Sequence, residues 1–196
     1  VDDLVEAGRL GRRLFPWFSV AKVGLELFAA SGPEAVGTFI DQGYQVFLDL
    51  KLHDIPNTVG KTARVLGSLG VSYVTVHSSG GIDMLKAAVD GLNEGATAAG
   101  LTPPMVLGVS VLTSEKSATP EKLQERISNV VAADCGGIVC AASDLLLVTE
   151  QALRRHDDEG LGEFLLLLAS QGMKILRRGS EVGDNHVILG ATLQES

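Results

Sequence analysis

Only two cysteines occur in the 196 residues, Cys135 and Cys140, close together in an apolar stretch. Neither a disulfide framework nor a zinc spacing follows from that pair, and two small buried residues is the better reading. A reducing, cytoplasmic setting fits such sparse cysteine usage. Basic charge is also scarce: 16 Lys and Arg against 24 Asp and Glu leave a net charge of −8. A nucleic-acid surface needs a basic stripe, so no nucleic-acid partner is expected. A phosphorylated small molecule stays compatible, because a handful of local donors can hold one phosphate. No apolar run reaches membrane-spanning length, the longest at residues 164–169 suiting a buried strand. No membrane partner is therefore expected, and the opening residues do not read as a signal peptide. No linker, repeat or low-complexity tract divides the chain.

What is present is an ordinary globular balance, 45% hydrophobic and 20% charged, in a length that suits one domain over residues 1–196. Amphipathic stretches alternate with short runs rich in Val, Ile and Leu. Helices are predicted over residues 2–17, 33–42, 58–69, 82–99 and 120–134. Strands are predicted over 19–24, 45–50, 73–77, 105–111 and 137–140. The strand runs are continuously apolar, as parallel strands covered by helices are. Repeated strand-then-helix units imply an α/β fold with a parallel sheet, either doubly wound or closed as a barrel; periodicity alone leaves both open. Residues 145–196 read as atypical, with apolar runs on either side of a strongly charged stretch at 151–160.

The informative segment is Asp49-Leu50-Lys51-Leu52-His53-Asp54-Ile55-Pro56-Asn57-Thr58. Residues two apart on a strand share a face, so Asp49 and Lys51 stand together opposite Leu48, Leu50 and Leu52. Asp54 follows just after the strand, where Pro56 breaks regular pairing. Lys22 ends another apolar strand at the same point of its unit. Charges at the carboxyl ends of parallel strands sit where sites form in barrels and open sheets alike. An Asp and a Lys two apart can also be a plain ion pair at a strand end. Two lysines and two aspartates on adjacent strand ends make a poor surface accident, since like charges would repel unless the array alternates in sign. A lysine held between carboxylates stays protonated and can deliver a proton to a developing carbanion. No metal, pyridoxal or flavin motif is needed for such chemistry, and no cofactor is expected. His77, at the end of a strand, could touch substrate, with a hydrogen-bonded structural histidine at least as good a reading, and His53 is given no role.

The ten-residue segment closely resembles the signature of the orotidine 5'-monophosphate decarboxylases. Lys22-Val23-Gly24-Leu25-Glu26-Leu27-Phe28 is similar to the block that precedes it in that family. The likeness runs on through His77-Ser78-Ser79-Gly80-Gly81, Ser110-Val111-Leu112-Thr113 and Gly137-Ile138-Val139-Cys140, covering roughly residues 1–144. It implies a TIM-type (β/α)8 barrel, a homodimer, and conversion of orotidine 5'-monophosphate to uridine 5'-monophosphate and carbon dioxide in pyrimidine biosynthesis. By position, Lys51 would be the proton donor, Asp49 would lie beside the leaving carboxylate, and Lys22 would anchor Asp49 and the ribose. Asp54, with Ile55 and Thr58, would reach into the partner subunit's site, and Pro56 and Asn57 belong to the same substrate-binding run. Thr113 would lie near the orotate ring. A neighbouring family of magnesium-dependent sugar-phosphate lyases shares the Asp-x-Lys-x-x-Asp pattern but carries a carboxylate where this chain has Lys22.

Two departures from the pattern are expected. The family's first strand should precede Val1, and its last strand should follow where the chain stops, so the barrel is expected to be incomplete here. The phosphate loop has only a loose echo at residues 170–174, with Lys174 in the place of an arginine, and residues 179–185 resemble the mobile loop, with Asn185 in the place of a glutamine. A truncated barrel that keeps the dimer surface without turnover is the alternative reading.

Overall fold

The computed structural model of the protein describes residues 2–111, 119–141, 144 and 148, together with strand backbone at 165–168, 173–176 and 187–188. Helix α1 (Leu4–Leu14) opens on Asp3, whose carboxylate accepts the Glu6 N–H at 2.7 Å, and carries Arg12 and Arg13 in its last turn. Both features satisfy the helix dipole and its free amides. Strand β1 (Val20–Gly24) leads into a short helix α2 (Leu25–Ser31) and then α3 (Pro33–Ile40). Sequence periodicity does not reveal α2, because a seven-residue helix that buries only Leu27 has no repeat to show.

Strand β2 (Gln45–Leu52) is followed by α4 (Pro56–Gly67), β3 (Tyr73–His77), a 3-10 turn at Ser78–Gly80 and α5 (Gly81–Ala98). Pro56 does more than interrupt the strand: it sits in the first turn of α4, where a missing N–H costs nothing, so the helix starts two residues before its predicted boundary. Gly43 and Gly70 close α3 and α4 at φ of 89° and 77°, a backbone region costly for any other residue. Strand β4 (Met105–Val109), α6 (Pro120–Ala132) and β5 (Gly137–Cys140) complete the regular alternation.

Strands β1 to β5 pair in sequence order and all in parallel, and β6 (Leu165–Leu168) extends them as a further parallel neighbour. Beyond it the direction changes. Strand β7 (Met173–Leu176) runs antiparallel to β6, and β8 (Val187–Ile188) antiparallel to β7, with β8 lying against β1. The arrangement departs there from the all-parallel order of a (β/α)8 barrel.

Two apolar clusters follow from the strand period of two. Val46, Leu48, Val74, Val76, Val106 and Ile138 face outward onto α4, α5 and α6. Val20, Phe47, Leu107, Val109 and Val139 face inward, packed by Tyr73 and Met105. Continuous apolar strands are the signature of this double burial. Helices α4 and α5 approach so closely that a Cβ on Gly67, Gly91 or Gly95 would run into the carbonyl oxygen of Leu92, Gly60 or Arg64. Cys135 and Cys140 are buried as free thiols, and burial, with Asp134 and Asp144 nearby, pushes each up to about 12. Neither is a nucleophile at neutral pH. Among the described residues no helix is long and apolar enough to cross a membrane.

Candidate active site

The inward face of β1 runs from Val20 to Lys22, that of β2 from Phe47 to Asp49, and that of β3 from Tyr73 through Thr75 to His77. At each strand an apolar residue closes the floor and a polar one follows toward the carboxyl end. The Asp49 carboxylate therefore stands between Lys22, whose Nζ donates to Oδ2 at 3.0 Å, and Lys51, whose Nζ donates to Oδ1 at 2.7 Å. The Thr75 hydroxyl donates to the same Oδ1 at 3.0 Å. Burial pushes the Asp49 carboxyl up, but the Lys51 hydrogen bond and the charges of Lys22 and Lys51 outweigh it and hold the group below the usual carboxylate range. Asp49 is ionised at neutral pH.

Lys51 reaches Asp49 by a different route from simple pleating. Its φ is +52°, a left-handed conformation that costs a non-glycine residue about 1–2 kcal/mol. Between Leu48 and Leu52 the pairing with β3 slips, so that four steps along β2 match two along β3. This bulge lifts the Lys51 N–H off the ladder, and the Thr75 Oγ1 accepts it at 2.9 Å. Thr75 is 1% exposed and serves both residues at once, donating to Asp49 and accepting from Lys51. Sequence reasoning passed over Thr75. The available signal was a hydroxyl on the inward face of an otherwise apolar strand, one position before the charged ends.

Two further hydroxyls brace the strand ends. Ser78 Oγ donates to the Val109 carbonyl at 2.7 Å, and Ser110 Oγ donates to the Val139 carbonyl at 3.0 Å. They tie β3 to β4 and β4 to β5, and α6 adds Asn129 and Arg126, which donate to the Ser78 carbonyl at 3.3 and 3.5 Å. These side chains fix the platform on which the charged group stands.

Of the predicted residues, Lys22, Asp49 and Lys51 come together, whereas Asp54 does not join them. Within one chain the array is therefore two cations on one carboxylate, and the expected second aspartate lies outside it. Asp54 follows the end of β2, where its carboxylate accepts the Ile55 N–H at 2.7 Å. His53, Asp54, Ile55, Pro56, Asn57 and Thr58 are all exposed, Ile55 at 65%. Thr113 and Asn185 lie outside the described residues. Lys174 lies in β7, where the sequence suggests a loop, and its side chain is outside the described residues. No group of three or more His, Cys, Asp or Glu that could hold a metal ion occurs among the described residues.

Residues 1–163 match the family described as "Orotidine 5'-phosphate decarboxylase / HUMPS family". The orotidine 5'-phosphate decarboxylase of Lactiplantibacillus plantarum is 46% identical over 135 residues, 63% of this chain and 57% of that protein. That of Parasynechococcus marenigrum is 38% identical over 180 residues, 86% of this chain and 68% of its own length. Among solved structures, an uncharacterized conserved protein from Geobacillus kaustophilus superposes with a TM-score of 0.72 at 33% identity, covering 77% of this chain and 75% of that one. The orotidine 5'-phosphate decarboxylase of Lactobacillus acidophilus superposes with a TM-score of 0.62 at 32% identity, covering 72% and 70%. The chain spans a little under three fifths of the Lactiplantibacillus plantarum and Latilactobacillus sakei relatives, 57% and 58% of their lengths.

Proposed function

This chain belongs to the orotidine 5'-phosphate decarboxylase / HUMPS family, and on that premise we propose that it decarboxylates orotidine 5'-monophosphate to uridine 5'-monophosphate. The observation that carries the reading is the Asp49 carboxylate gripped by Lys22 and Lys51 at the carboxyl ends of two adjacent parallel strands. In the magnesium-dependent sugar-phosphate branch a carboxylate would stand at the position of Lys22. Here an ammonium stands there, 3.0 Å from Asp49.

The reaction asks little of the protein beyond placed charge. As the C6 carboxylate leaves as carbon dioxide, its electron pair remains on C6 of the pyrimidine. The Lys51 ammonium faces that developing negative charge and then transfers a proton from Nζ to C6. A preorganised cation stabilises the developing charge without reorganising at the moment of reaction. Asp49 orients Lys51 through the 2.7 Å hydrogen bond from its Nζ, and it stands beside the substrate carboxylate, where the repulsion vanishes as carbon dioxide departs. Lys22 anchors Asp49 and reaches the ribose. No step needs a cofactor.

Two chains complete the site. The exposed run from Asp54 through Ile55, Pro56 and Asn57 to Thr58 serves the partner subunit's site in a homodimer, which accounts for Asp54 standing apart from Lys51 within one chain. Thr113 approaches the orotate ring, and Lys174 and Asn185 take part in holding the phosphate. The enzyme works in the cytoplasm.

The test is the loss of orotidine 5'-monophosphate absorbance with purified protein, run with a chelator and beside Lys51→Ala. Turnover that survives the chelator and disappears in the variant supports the assignment. Turnover abolished by the chelator points to a magnesium-dependent relative. A folded protein with no turnover removes the enzymatic reading and leaves a barrel without activity.

A further inference from the structure

The imidazole of His77 has no task in the reaction described above, although it occupies the mouth of the site. It stands on the inward face of β3, two residues beyond the Thr75 that holds Asp49. The ring is half-buried, yet among the described residues neither nitrogen has a hydrogen-bond partner, and neither is sealed from solvent. A histidine kept for structure normally spends a nitrogen on a neighbour. Among the described residues this one does not, which favours the substrate-contact reading.

Its backbone is fixed all the same. His77 pairs with Val109 at the end of the β3–β4 ladder, and the carbonyl of the next residue, Ser78, accepts from Asn129 and Arg126. A fixed backbone thus presents the ring at the mouth of the site. His53, just past the end of β2, lies beside it with ring centroids 5.3 Å apart at 44°. The charged groups facing His77 are His53, Lys51 and Asp49 from the β2 side and Arg126 from α6. Burial, then the neighbouring His53, Lys51 and Arg126, push His77 below the usual imidazole range, with Asp49 opposing. A ring held neutral offers one donor and one acceptor nitrogen.

We propose that His77 is a substrate-positioning residue, hydrogen-bonding the nucleotide that lies against Lys51, with the His53 ring beside it setting its orientation. The inference rests on the nucleotide reading of the site. It differs from that reading in what it predicts: His77 acts on binding, whereas Lys51 acts on the chemical step. The bond of a neutral ring also predicts a KM that stays flat through neutral pH and changes only on the acid side.

The experiment measures kcat and KM across pH for the full chain, for His77→Ala, His77→Asn and His53→Ala. In parallel, uridine 5'-monophosphate is titrated against the imidazole C–H signals in an NMR spectrum, assigned by their loss in the variants. His77→Ala is expected to raise KM about three- to tenfold, the scale of one lost hydrogen bond, while kcat changes by less than about twofold. His77→Asn, which keeps a donor and an acceptor, recovers part of that loss and lacks the acid-side change in KM. His53→Ala has the same sign and a smaller size. The His77 signal moves on addition of the nucleotide. An active wild type whose KM and acid profile survive His77→Ala overturns the inference alone, as does a His77 signal that ignores bound nucleotide. A wild type that neither turns over substrate nor binds uridine 5'-monophosphate removes the functional reading and this inference with it.

Discussion

The α4–α5 seam and the charged cluster at the strand ends are built on opposite principles. Along the seam, side chains are missing: Gly67, Gly91 and Gly95 let two backbones touch where any Cβ would meet a carbonyl oxygen. At the strand ends, side chains are forced together: Lys51 holds a left-handed φ of +52° and a bulge opens so that its ammonium can meet Asp49. The seam relieves every local conflict and serves packing. The cluster accumulates conflict, with two cations on one carboxylate and a strained backbone, and strain of that kind concentrates where chemistry is done.

Replacing Lys51 by glycine should separate the two roles most sharply. Lys51→Gly is expected to lower kcat/KM by at least about 10³-fold, the combined scale of losing the proposed proton donor and its charge. The same variant should unfold about 1 kcal/mol later than Lys51→Ala in urea, because glycine accepts the left-handed conformation that alanine resists. Equal stability for the two would remove strain from the description of the site.

Gly95→Ala attacks the other region. One added methyl meets the Arg64 carbonyl, and separating α4 from α5 should cost about 3 kcal/mol, with KM unaltered in whatever fraction remains folded. Thermal melting and kinetics on the soluble fraction check both halves of that statement. Thr75→Val is next in size. It keeps the shape but removes the hydroxyl shared by Asp49 and the Lys51 N–H, so about 1–2 kcal/mol of stability should be lost together with part of kcat. A variant with full kcat would show that Lys51 keeps its place without Thr75.

Acid should act on the cluster and spare the seam. The Asp49 carboxyl is held below its ordinary value, so its contribution is complete above the unfolded carboxylate range and is lost as pH falls through the folded value. The stability gap between the wild type and Asp49→Asn should accordingly narrow on acidification, which melting curves across pH would register. A gap independent of pH would mean that Asp49 stabilises by packing alone. The smallest effect belongs to the Arg64–Glu94 pair on the outside of the seam, 3.2 Å apart with both side chains more than half exposed. Glu94→Gln should change stability by no more than about 0.5 kcal/mol, and a larger loss would move electrostatics into a seam explained here by shape.

Much of this was legible in the residues. Strand β3 and strand β5 begin and end where their apolar runs do, because Gly70 and Gly136 punctuate one side and hydroxyl, histidine or cysteine ends the other. The convergence of Lys22, Asp49 and Lys51 was readable from equal positions in successive units. The bulge was not. Alternation along β2 predicts that Asp49 and Lys51 share a face by regular pleating, whereas the pair meets through an irregularity that only the partner strand creates. For the same reason Thr75 escaped notice: its value lies in what stands opposite, 26 positions away in the case of Asp49.

The sequence by itself determined the alternation of apolar strands with amphipathic helices, the family, and the set of charges available at the strand ends. Those depend on residue type and local spacing, which a chain carries before it folds. Tertiary structure alone decided that Thr75 would bridge Asp49 to the Lys51 backbone, that Asp54 would stand apart from Lys51 within one chain, and that the His77 ring would lie beside His53 without a hydrogen-bond partner among the described residues. Each of these is a contact, or a lack of one, between residues that pairing brings into register, and register is a property of the assembled sheet.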